Sequence, residues 1–346
     1  MSARNLSTHD YFIRACARVQ PTHTFRGSTT ADWSRWRAAL LPKLRELLGE
    51  FPQPAPLRPE VVWEQRDAEL IRQRVLFDTE ADMSAAALVY VPARRNTDER
   101  LPAILCAHGH GPYGKEAVMG AGPADDAAFV AHVRQHNYDY GLQMARRGFV
   151  TCAIDWRGFG ERGDPGRSYG VKDVCDAHYI RGHLLGLNLL TLQVHDGLRT
   201  LDYLQSRPEV DPQRIGCMGL SFGGTMTTWL SLLDPRIKAA DIICYIETFP
   251  RFAIEQVNFC GAQIVPGLYR LCDVGDLAGL IAPRPLLLEV GRQDDCFYYE
   301  DARVGAELAR TIYAAAGAPE KLEIEVFDGG HQFAGGRAFT FFRKHL

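Results

Sequence analysis

One serine of this chain lies in a context that can turn its hydroxyl into a nucleophile. Ser221 is the central residue of a G-x-S-x-G pattern within residues 219–224. The apolar run at 214–218 predicts a buried strand, and residues 225–233 predict a helix. This order is typical of a nucleophile elbow, a tight turn that strains the serine backbone and leaves no room for larger flanking side chains. Ser221 is therefore the candidate nucleophile.

A serine hydroxyl is a weak nucleophile at neutral pH and needs a base, which an acidic residue orients. In this strand–helix architecture the partners follow in the order serine, acid, histidine. His331 comes directly after the last predicted strand and is the candidate base, whereas His345 is the penultimate residue and is set aside. Asp294 follows the preceding strand and is the preferred acid, with its neighbour Asp295 as the alternative. Glu289 lies inside that strand and is less suited to the role.

Charge that develops on an attacked carbonyl oxygen is stabilised by two backbone N–H donors. One is expected from Phe222, directly after the nucleophile, and the other from His110, with Gly111 as the alternative. His108 in the same loop is interpreted as a structural hydrogen-bonding residue. Residues 155–162 follow the next strand, and their carboxylates and guanidinium groups favour an ion-paired structural loop over a site for an acidic substrate.

The histidines lack the spacing of metal ligands, and no acidic triplet adjoins the elbow, so we predict neither a metal nor a cofactor. Nine cysteines without a C-x-x-C pair indicate a reduced, cytoplasmic protein without a disulfide framework or a zinc site.

The elements that position these residues can be predicted along the chain. Helical periodicity in residues 1–50 and prolines in 51–59 predict a helical N-terminal arm and linker over 1–59. Short runs in 60–92 predict an antiparallel meander of strands. Beyond residue 102, apolar strands alternate with helices, which favours an α/β fold with a mostly parallel sheet covered on both faces. Residues 60–346 are expected to form the catalytic domain.

Two sets of elements are predicted beyond residue 102. The strands are 103–107, 149–154, 215–218, 239–245, 285–290 and 322–327. The helices are 138–147, 188–206, 222–233, 301–315 and 336–345.

Three long connections, 111–137, 156–187 and 247–279, fit this alternation poorly and follow strand ends. Ligands of open α/β sheets bind at the carboxyl ends of strands, so we expect these segments to form a cap that walls the substrate site. Aromatic and histidine side chains in them, His132 and His136 included, can stack on a sugar or an aromatic alcohol or pack the cap itself. The candidate substrate-binding residues are Tyr113, Tyr138, Trp156 and Phe259.

Composition sets the class of protein. The chain has 346 residues, of which 46% are hydrophobic and 23% charged, with a formal net charge of -3. These values are ordinary for a soluble globular protein, and no charged block favours nucleic acid or a membrane surface. No apolar run is long enough to span a membrane, and the first residues lack a signal-peptide core. The expected partner is a small-molecule ester, and a homo-oligomer stays open.

The chain resembles the α/β-hydrolase superfamily, specifically bacterial acetyl xylan esterase-like and dienelactone hydrolase-like esterases, over about residues 30–346. The motifs that carry the resemblance are residues 107–111, 155–162, 210–224, 281–287, 291–294 and 329–331. The resemblance implies a triad of Ser221, Asp294 and His331, called the candidate triad below, and an oxyanion hole at His110 and Phe222. Dienelactone hydrolases proper carry cysteine where this chain has serine, so their activity is not implied.

The sequence is compatible with three functions. The first is a serine carboxylic-ester hydrolase that acts through an acyl-enzyme, on short acetyl-type esters, with carbohydrate esters among the candidates. The second is a peptidase or amidase of the same fold, although the predicted arm is small beside the accessory domains that such peptidases carry. The third is a binding module with a relic pocket, against which the complete order of the candidate triad argues.

Overall fold

One mixed sheet organises the chain in a computed structural model that describes residues 4–94 and 99–346. Within these residues the strands are β1 Glu60–Arg66, β2 Leu70–Glu80, β3 Met83–Pro92, β4 Leu101–Ala107, β5 Val150–Ile154, β6 Val210–Leu220, β7 Ile237–Ile243, β8 Leu286–Gly291 and β9 Leu322–Phe327. Their order in the sheet is β1-β2-β3-β5-β4-β6-β7-β8-β9. Strands β5, β4 and β6 to β9 run parallel, and β1 to β3 join them antiparallel, as predicted.

Helices cover the sheet. They are α1 Thr8–Ala17, α2 Thr30–Leu48, α3 Gly114–Met119, α4 Ala127–His136, α5 Tyr140–Ala145, α6 Val174–Leu184, α7 Leu189–Ser206, α8 Phe222–Leu233, α9 Val274–Gly279, α10 Tyr299–Ala315 and α11 Ala338–His345. The predicted strands and helices beyond residue 102 all occur, with ends that shift by a few residues. Strand β6 begins five residues earlier than predicted, and its first part includes Pro212.

Side-chain alternation along the parallel strands produces two cores. In β4, Ala103, Leu105 and Ala107 belong to one hydrophobic cluster. Ile104 and Cys106 belong to a second cluster. Successive side chains of a strand point to opposite faces, so a strand that is apolar throughout must be covered on both sides. This is the physical basis of the predicted three-layer arrangement.

The three cap segments are more regular than their sequences suggest. Residues 111–137 contain α3 and α4, residues 156–187 contain α6, and residues 247–279 contain short helical turns and α9. The sequence predicted long connections that fit the alternation poorly, and each of them contains helices. Helix α6 is short and only weakly amphipathic, and polar residues such as His178 and Arg181 interrupt its apolar side.

The N-terminal arm packs on its own chain. The main helix of the arm is α2, which continues through Pro42. Leu40 and Leu44 of this helix are fully buried in the larger core cluster. The Thr191 hydroxyl of α7 donates to the Leu48 carbonyl at 2.6 Å. Helix α2 therefore packs into the same core as the sheet, whereas α1 buries none of its residues.

Among the described residues, no helix combines the length and apolar character needed to cross a membrane.

Candidate active site

Ser221 occupies the turn between β6 and α8 in a strained backbone conformation. Its φ is 62° and its ψ is -120°, a region that non-glycine residues rarely adopt. A Cβ at Gly219 would lie 2.4 Å from the Gly223 carbonyl oxygen, and a Cβ at Gly223 would lie 2.1 Å from the Ala107 carbonyl oxygen. Glycine is therefore required at both flanking positions. A hydrogen bond from the Ser221 N–H to the Ile243 carbonyl, at 2.9 Å, helps to hold the strained turn.

The loop after β4 lies directly against this turn. A Cβ at Gly109 would lie 2.8 Å from the Leu220 carbonyl oxygen and 3.2 Å from the Ser221 Cβ. The Gly109 N–H is occupied, since it donates to the Tyr138 hydroxyl at 2.7 Å. Among the described residues, neither the His110 N–H nor the Phe222 N–H donates a hydrogen bond, so both are available to an oxyanion.

Residues 109–114 also satisfy the spacing G-x-G-x-x-G, which after a strand is often read as a dinucleotide-binding loop. The structure gives these glycines another purpose. Gly109 permits the close approach to the elbow described above. Gly114 has a φ of +48°, and a Cβ there would lie 2.2 Å from an Asp155 carboxylate oxygen. Contacts within the chain thus account for both outer glycines.

His331 and Asp294 are joined. The His331 Nδ1 atom lies 2.9 Å from the Asp294 Oδ2 atom. The other oxygen of Asp294 accepts backbone N–H groups from Cys296 at 2.9 Å and Phe297 at 2.8 Å. The Phe297 ring stacks on the imidazole with centroids 5.4 Å apart and planes 9° apart. The imidazole is held from its edge and its face, with Nδ1 donating and Nε2 left to accept a proton.

The choice between the two adjacent aspartates follows from this geometry. Burial of Asp294 raises its pKa, but the hydrogen bond and charge of His331, with the two N–H donors, outweigh burial and lower the pKa below its ordinary value. Asp294 therefore stays ionised at neutral pH. Asp295 is exposed and forms no hydrogen bond with His331. Asp294 is the acid that orients the imidazole.

The loop after β9 that carries His331, residues 328–333, is called the histidine loop below, and it contacts the end of β7. Cys244, the first residue after β7, donates its thiol to the Gln332 carbonyl at 3.5 Å. Ligand atoms of Cys244, Asp294 and His331 lie within 4.8 Å of one another. Because Ile243, one residue earlier, accepts the Ser221 N–H, the end of β7 bridges the elbow and the histidine loop. Sequence reasoning did not single out Cys244 or Phe297, since neither belongs to a motif.

Residues 109–111 after β4 are called the oxyanion loop below. Behind this loop lies a buried polar group that we call the supporting layer: His108, Lys115 and Asp155. His108 is fully buried, and burial lowers its pKa to about 4, so its imidazole is neutral. Its Nδ1 atom donates to the Gly109 carbonyl at 2.7 Å, and its Nε2 atom accepts the Trp156 N–H at 3.1 Å. The prediction of a structural His108 is confirmed.

Lys115 neutralises the acidic part of the supporting layer. Its ammonium donates to Asp155 at 2.7 Å, Glu161 at 2.6 Å and Glu116 at 2.8 Å, and the lysine and aspartate side chains are fully buried. The Asp155 carboxylate also accepts the backbone N–H groups of Lys115 and Glu161. The loop at 155–162 is ion-paired and structural, as predicted.

The four candidate substrate-binding residues separate into two groups. Trp156 is completely buried, so the prediction that it contacts substrate was wrong. Tyr138 is 6% exposed and its hydroxyl holds the Gly109 N–H, so it supports the oxyanion loop instead of facing the crevice. Tyr113 and Phe259 are half-buried. Phe259 lines an apolar cavity of about 300 Å³, to which no triad residue contributes.

Two histidines of α4 reach the site from the cap. His132 and His136 are four residues apart and share one helix face, with ring centroids 4.9 Å apart. The His136 Nδ1 atom lies 2.7 Å from the His331 carbonyl oxygen. A Cβ at Gly111 would lie 3.9 Å from the His132 ring, and Tyr113 packs on the same ring at 5.3 Å. Helix α4 thus connects the oxyanion loop with the histidine loop.

The sheet order, with an elbow after β6 and a histidine after β9, is that of the α/β-hydrolase fold. The chain belongs to the Abhydrolase family, whose model matches residues 2–334. It is 30% identical over 302 residues to YtaP of Bacillus subtilis (strain 168), a protein named as a candidate hydrolase, and the match covers 85% of this chain and 94% of that protein.

Solved structures share the fold at low identity. A candidate acetyl xylan esterase from Bacteroides fragilis NCTC 9343 aligns with a TM-score of 0.75 and 20% identity, over 94% of this chain and 83% of that chain. A glucuronoyl esterase from Solibacter usitatus aligns with a TM-score of 0.68 and 16% identity, over 95% of this chain and 99% of that chain. At such identities the likeness establishes the fold.

Proposed function

We propose that this chain is a serine carboxylic-ester hydrolase that works through an acyl-enzyme. The observation that carries the proposal is the hydrogen bond between Asp294 and His331 at the same sheet edge as the strained Ser221. An oriented imidazole and a serine hydroxyl on an elbow are the parts that acyl transfer needs. The strained backbone of Ser221 also supports the proposal, because such strain clusters at functional sites.

The proposed reaction has two halves. His331 Nε2 takes the proton of the Ser221 hydroxyl as the oxygen attacks the ester carbonyl, and the oxyanion is held by the His110 and Phe222 N–H groups. The protonated imidazole then gives its proton to the leaving alcohol, which leaves an acyl-serine. Water, deprotonated by His331, releases the acid and restores the serine. Each oxyanion donor is expected to lower the barrier by roughly 3–4 kcal/mol.

For the substrate we propose short acyl esters of an alcohol with stacking faces, with carbohydrate esters as the main class. Support comes from the aromatic and imidazole rings of Tyr113 and His132 beside the oxyanion loop. Such rings stack on sugar faces and donate to hydroxyl groups. The names of the two structural neighbours point in the same direction, since both refer to carbohydrate esters.

Active-site labelling tests the nucleophile. A fluorophosphonate probe should label the wild-type protein at Ser221, and Ser221→Ala should lose both labelling and hydrolysis of p-nitrophenyl acetate, by about 10⁴-fold or more. Ser28→Ala, which removes an exposed serine of the arm, is the control and should behave as wild type. Labelling that persists in Ser221→Ala would overturn the proposal.

A substrate panel tests the bond and the acyl group. We expect acetyl esters to be cleaved faster than butyryl and longer p-nitrophenyl esters, and acetylated xylo-oligosaccharides to be deacetylated. Peptide p-nitroanilides of matched size are the comparison. Faster cleavage of the anilides than of the esters would favour the amidase alternative and contradict the esterase assignment.

A further inference from the structure

Three metal-ligating side chains from distant parts of the chain meet beside the oxyanion loop. They are His110 after β4, Cys175 in α6 and Cys260 in the connection after β7, called the thiol–imidazole cluster below. The Cys175 Sγ atom lies 3.4 Å from the His110 Nε2 atom. One ligand atom from each of the three residues lies within 4.8 Å of the other two. The candidate triad and the supporting layer use none of these side chains.

These separations suit a tetrahedral ion with sulfur and nitrogen ligands. Zinc binds thiolate sulfur at about 2.3 Å and imidazole nitrogen at about 2.0–2.1 Å, which places tetrahedral sulfur and nitrogen ligands about 3.5 Å apart. A fourth donor is near, because a carboxylate oxygen of Asp173 lies 3.9 Å from His110 Nε2. The same Asp173 carboxylate lies within 4.8 Å of the Cys175 sulfur.

The surroundings of the Cys260 sulfur suit a ligand atom. The Gln263 Nε2 atom donates to the Cys260 sulfur at 3.7 Å. Donors around a sulfur stabilise a thiolate, which is the form that ligates a metal.

An ion can reach the cluster from solvent. His110 and Cys175 line an open cavity of about 420 Å³, and Asp173 lies on its rim with a largely exposed side chain. Both cysteines are buried, and Cys175 also lines this cavity, whereas the His110 side chain is 40% exposed. The arrangement resembles a site with protein ligands on one side and an open coordination position on the other.

We propose that His110, Cys175 and Cys260 form a binding site for a thiophilic divalent cation of the Zn²⁺ type, with Asp173 or water in the fourth position. On binding, both thiols release their protons to solvent, and the neutral imidazole supplies its Nε2 lone pair. The ion ties the oxyanion loop to α6 and to the segment at 260–263. The prediction of no metal site depended on spacing along the chain, to which this cluster is invisible.

The test uses the reduced full-length protein. Zn²⁺ titrated in competition with a chromophoric chelator should bind at one ion per chain and raise the melting temperature, because a ligand that binds only the folded state stabilises it. Co²⁺ in its place should show a thiolate-to-metal charge-transfer absorption band. Cys175→Ser and Cys260→Ser should each weaken binding by at least about 10-fold. Cys16→Ser, outside the cluster, should bind as wild type.

Three results would overturn the site: wild-type protein that binds no Zn²⁺ in the competition, a Co²⁺ complex without the thiolate band, or unchanged affinity in both serine variants. If the serine variants do not fold, the Co²⁺ spectrum of the wild-type protein decides. Ser221→Ala should bind Zn²⁺ like wild type, so the outcome is independent of the proposed esterase reaction.

Discussion

The three residues of the candidate triad follow the carboxyl ends of β6, β8 and β9, and Asp294 and His331 are hydrogen-bonded to each other there. At the ends of β4 and β5, the polar side chains of the supporting layer are fully buried, and His108 and Asp155 accept backbone N–H groups. Both regions contain a histidine and an aspartate, yet their roles differ. His108 is made neutral by burial and bonds only to backbone, whereas His331 has a carboxylate at Nδ1 and an open Nε2. The surroundings of each histidine, more than its residue type, decide whether it can act in a reaction or supports the backbone.

The largest difference in activity between the two regions is expected from a substitution of Asp294. Asp294→Asn should reduce kcat for p-nitrophenyl acetate by about 10⁴-fold, because the amide cannot hold the required imidazole tautomer or stabilise the imidazolium. Asp295→Asn is the matched control, one residue away and exposed, and should retain most activity. The reverse result, with Asp295→Asn the more damaged variant, would contradict the assignment of the orienting acid.

Substitutions in the supporting layer should lower the free energy of unfolding. Lys115→Met leaves the buried carboxylate of Asp155 without its ammonium partner, which costs about 3–5 kcal/mol of unfolding free energy. Lys43→Met removes an exposed pair with Glu46 and should cost about 1 kcal/mol or less. Urea unfolding measures both. Equal losses in the two variants would show that the buried ion pair is not special.

Tyr138 connects the two regions, because its hydroxyl accepts the Gly109 N–H next to the proposed donor His110. Tyr138→Phe leaves that buried N–H without a partner, at a cost of roughly 1–3 kcal/mol. We expect kcat to fall more than KM changes, since the loop stabilises the transition state. Tyr11→Phe, on the exposed face of α1, is the control. A change confined to KM would assign Tyr138 to substrate binding after all.

A pH-dependent effect on stability is expected at Glu289, which lies on β8 five residues before Asp294. Burial, and then the charge of Glu325 on β9, raise the pKa of Glu289, so the folded state keeps it protonated over a range where the unfolded chain is ionised. Stability from this group is complete below the ordinary glutamate pKa of about 4.3 and is lost as pH rises toward the raised value.

Glu289→Gln should remove this pH dependence and keep an oxygen for the Ala334 N–H, which Glu289 accepts at 2.7 Å. The variant should gain on wild type by roughly 1 kcal/mol per pH unit above the ordinary glutamate pKa. Urea unfolding at about pH 5 and about pH 8 tests this. Glu60→Gln, exposed on β1, is the control. Parallel pH profiles for wild type and Glu289→Gln would contradict the assignment.

Much of the fold and the order of the candidate site could be predicted because the signals are local. An apolar run fixes a buried strand, and the turn after it places Ser221, Asp294 or His331 at a known edge of the sheet. The glycines on either side of Ser221 are required by close contacts of the turn, one of them with Ala107 of β4. The order of strand, turn and helix leaves a pattern in the sequence because its residues are neighbours along the chain.

The sequence by itself thus determined the parallel sheet, the elbow, and the strand ends from which base and acid come. Only the tertiary structure decided that Asp294 and not Asp295 meets His331, that Trp156 is buried, and that Tyr138 supports a loop. It also decided that α2 packs on its own chain and that the thiol–imidazole cluster exists. The physical reason is that burial and contact across distant segments depend on how the elements pack, and packing leaves no regular spacing in the chain.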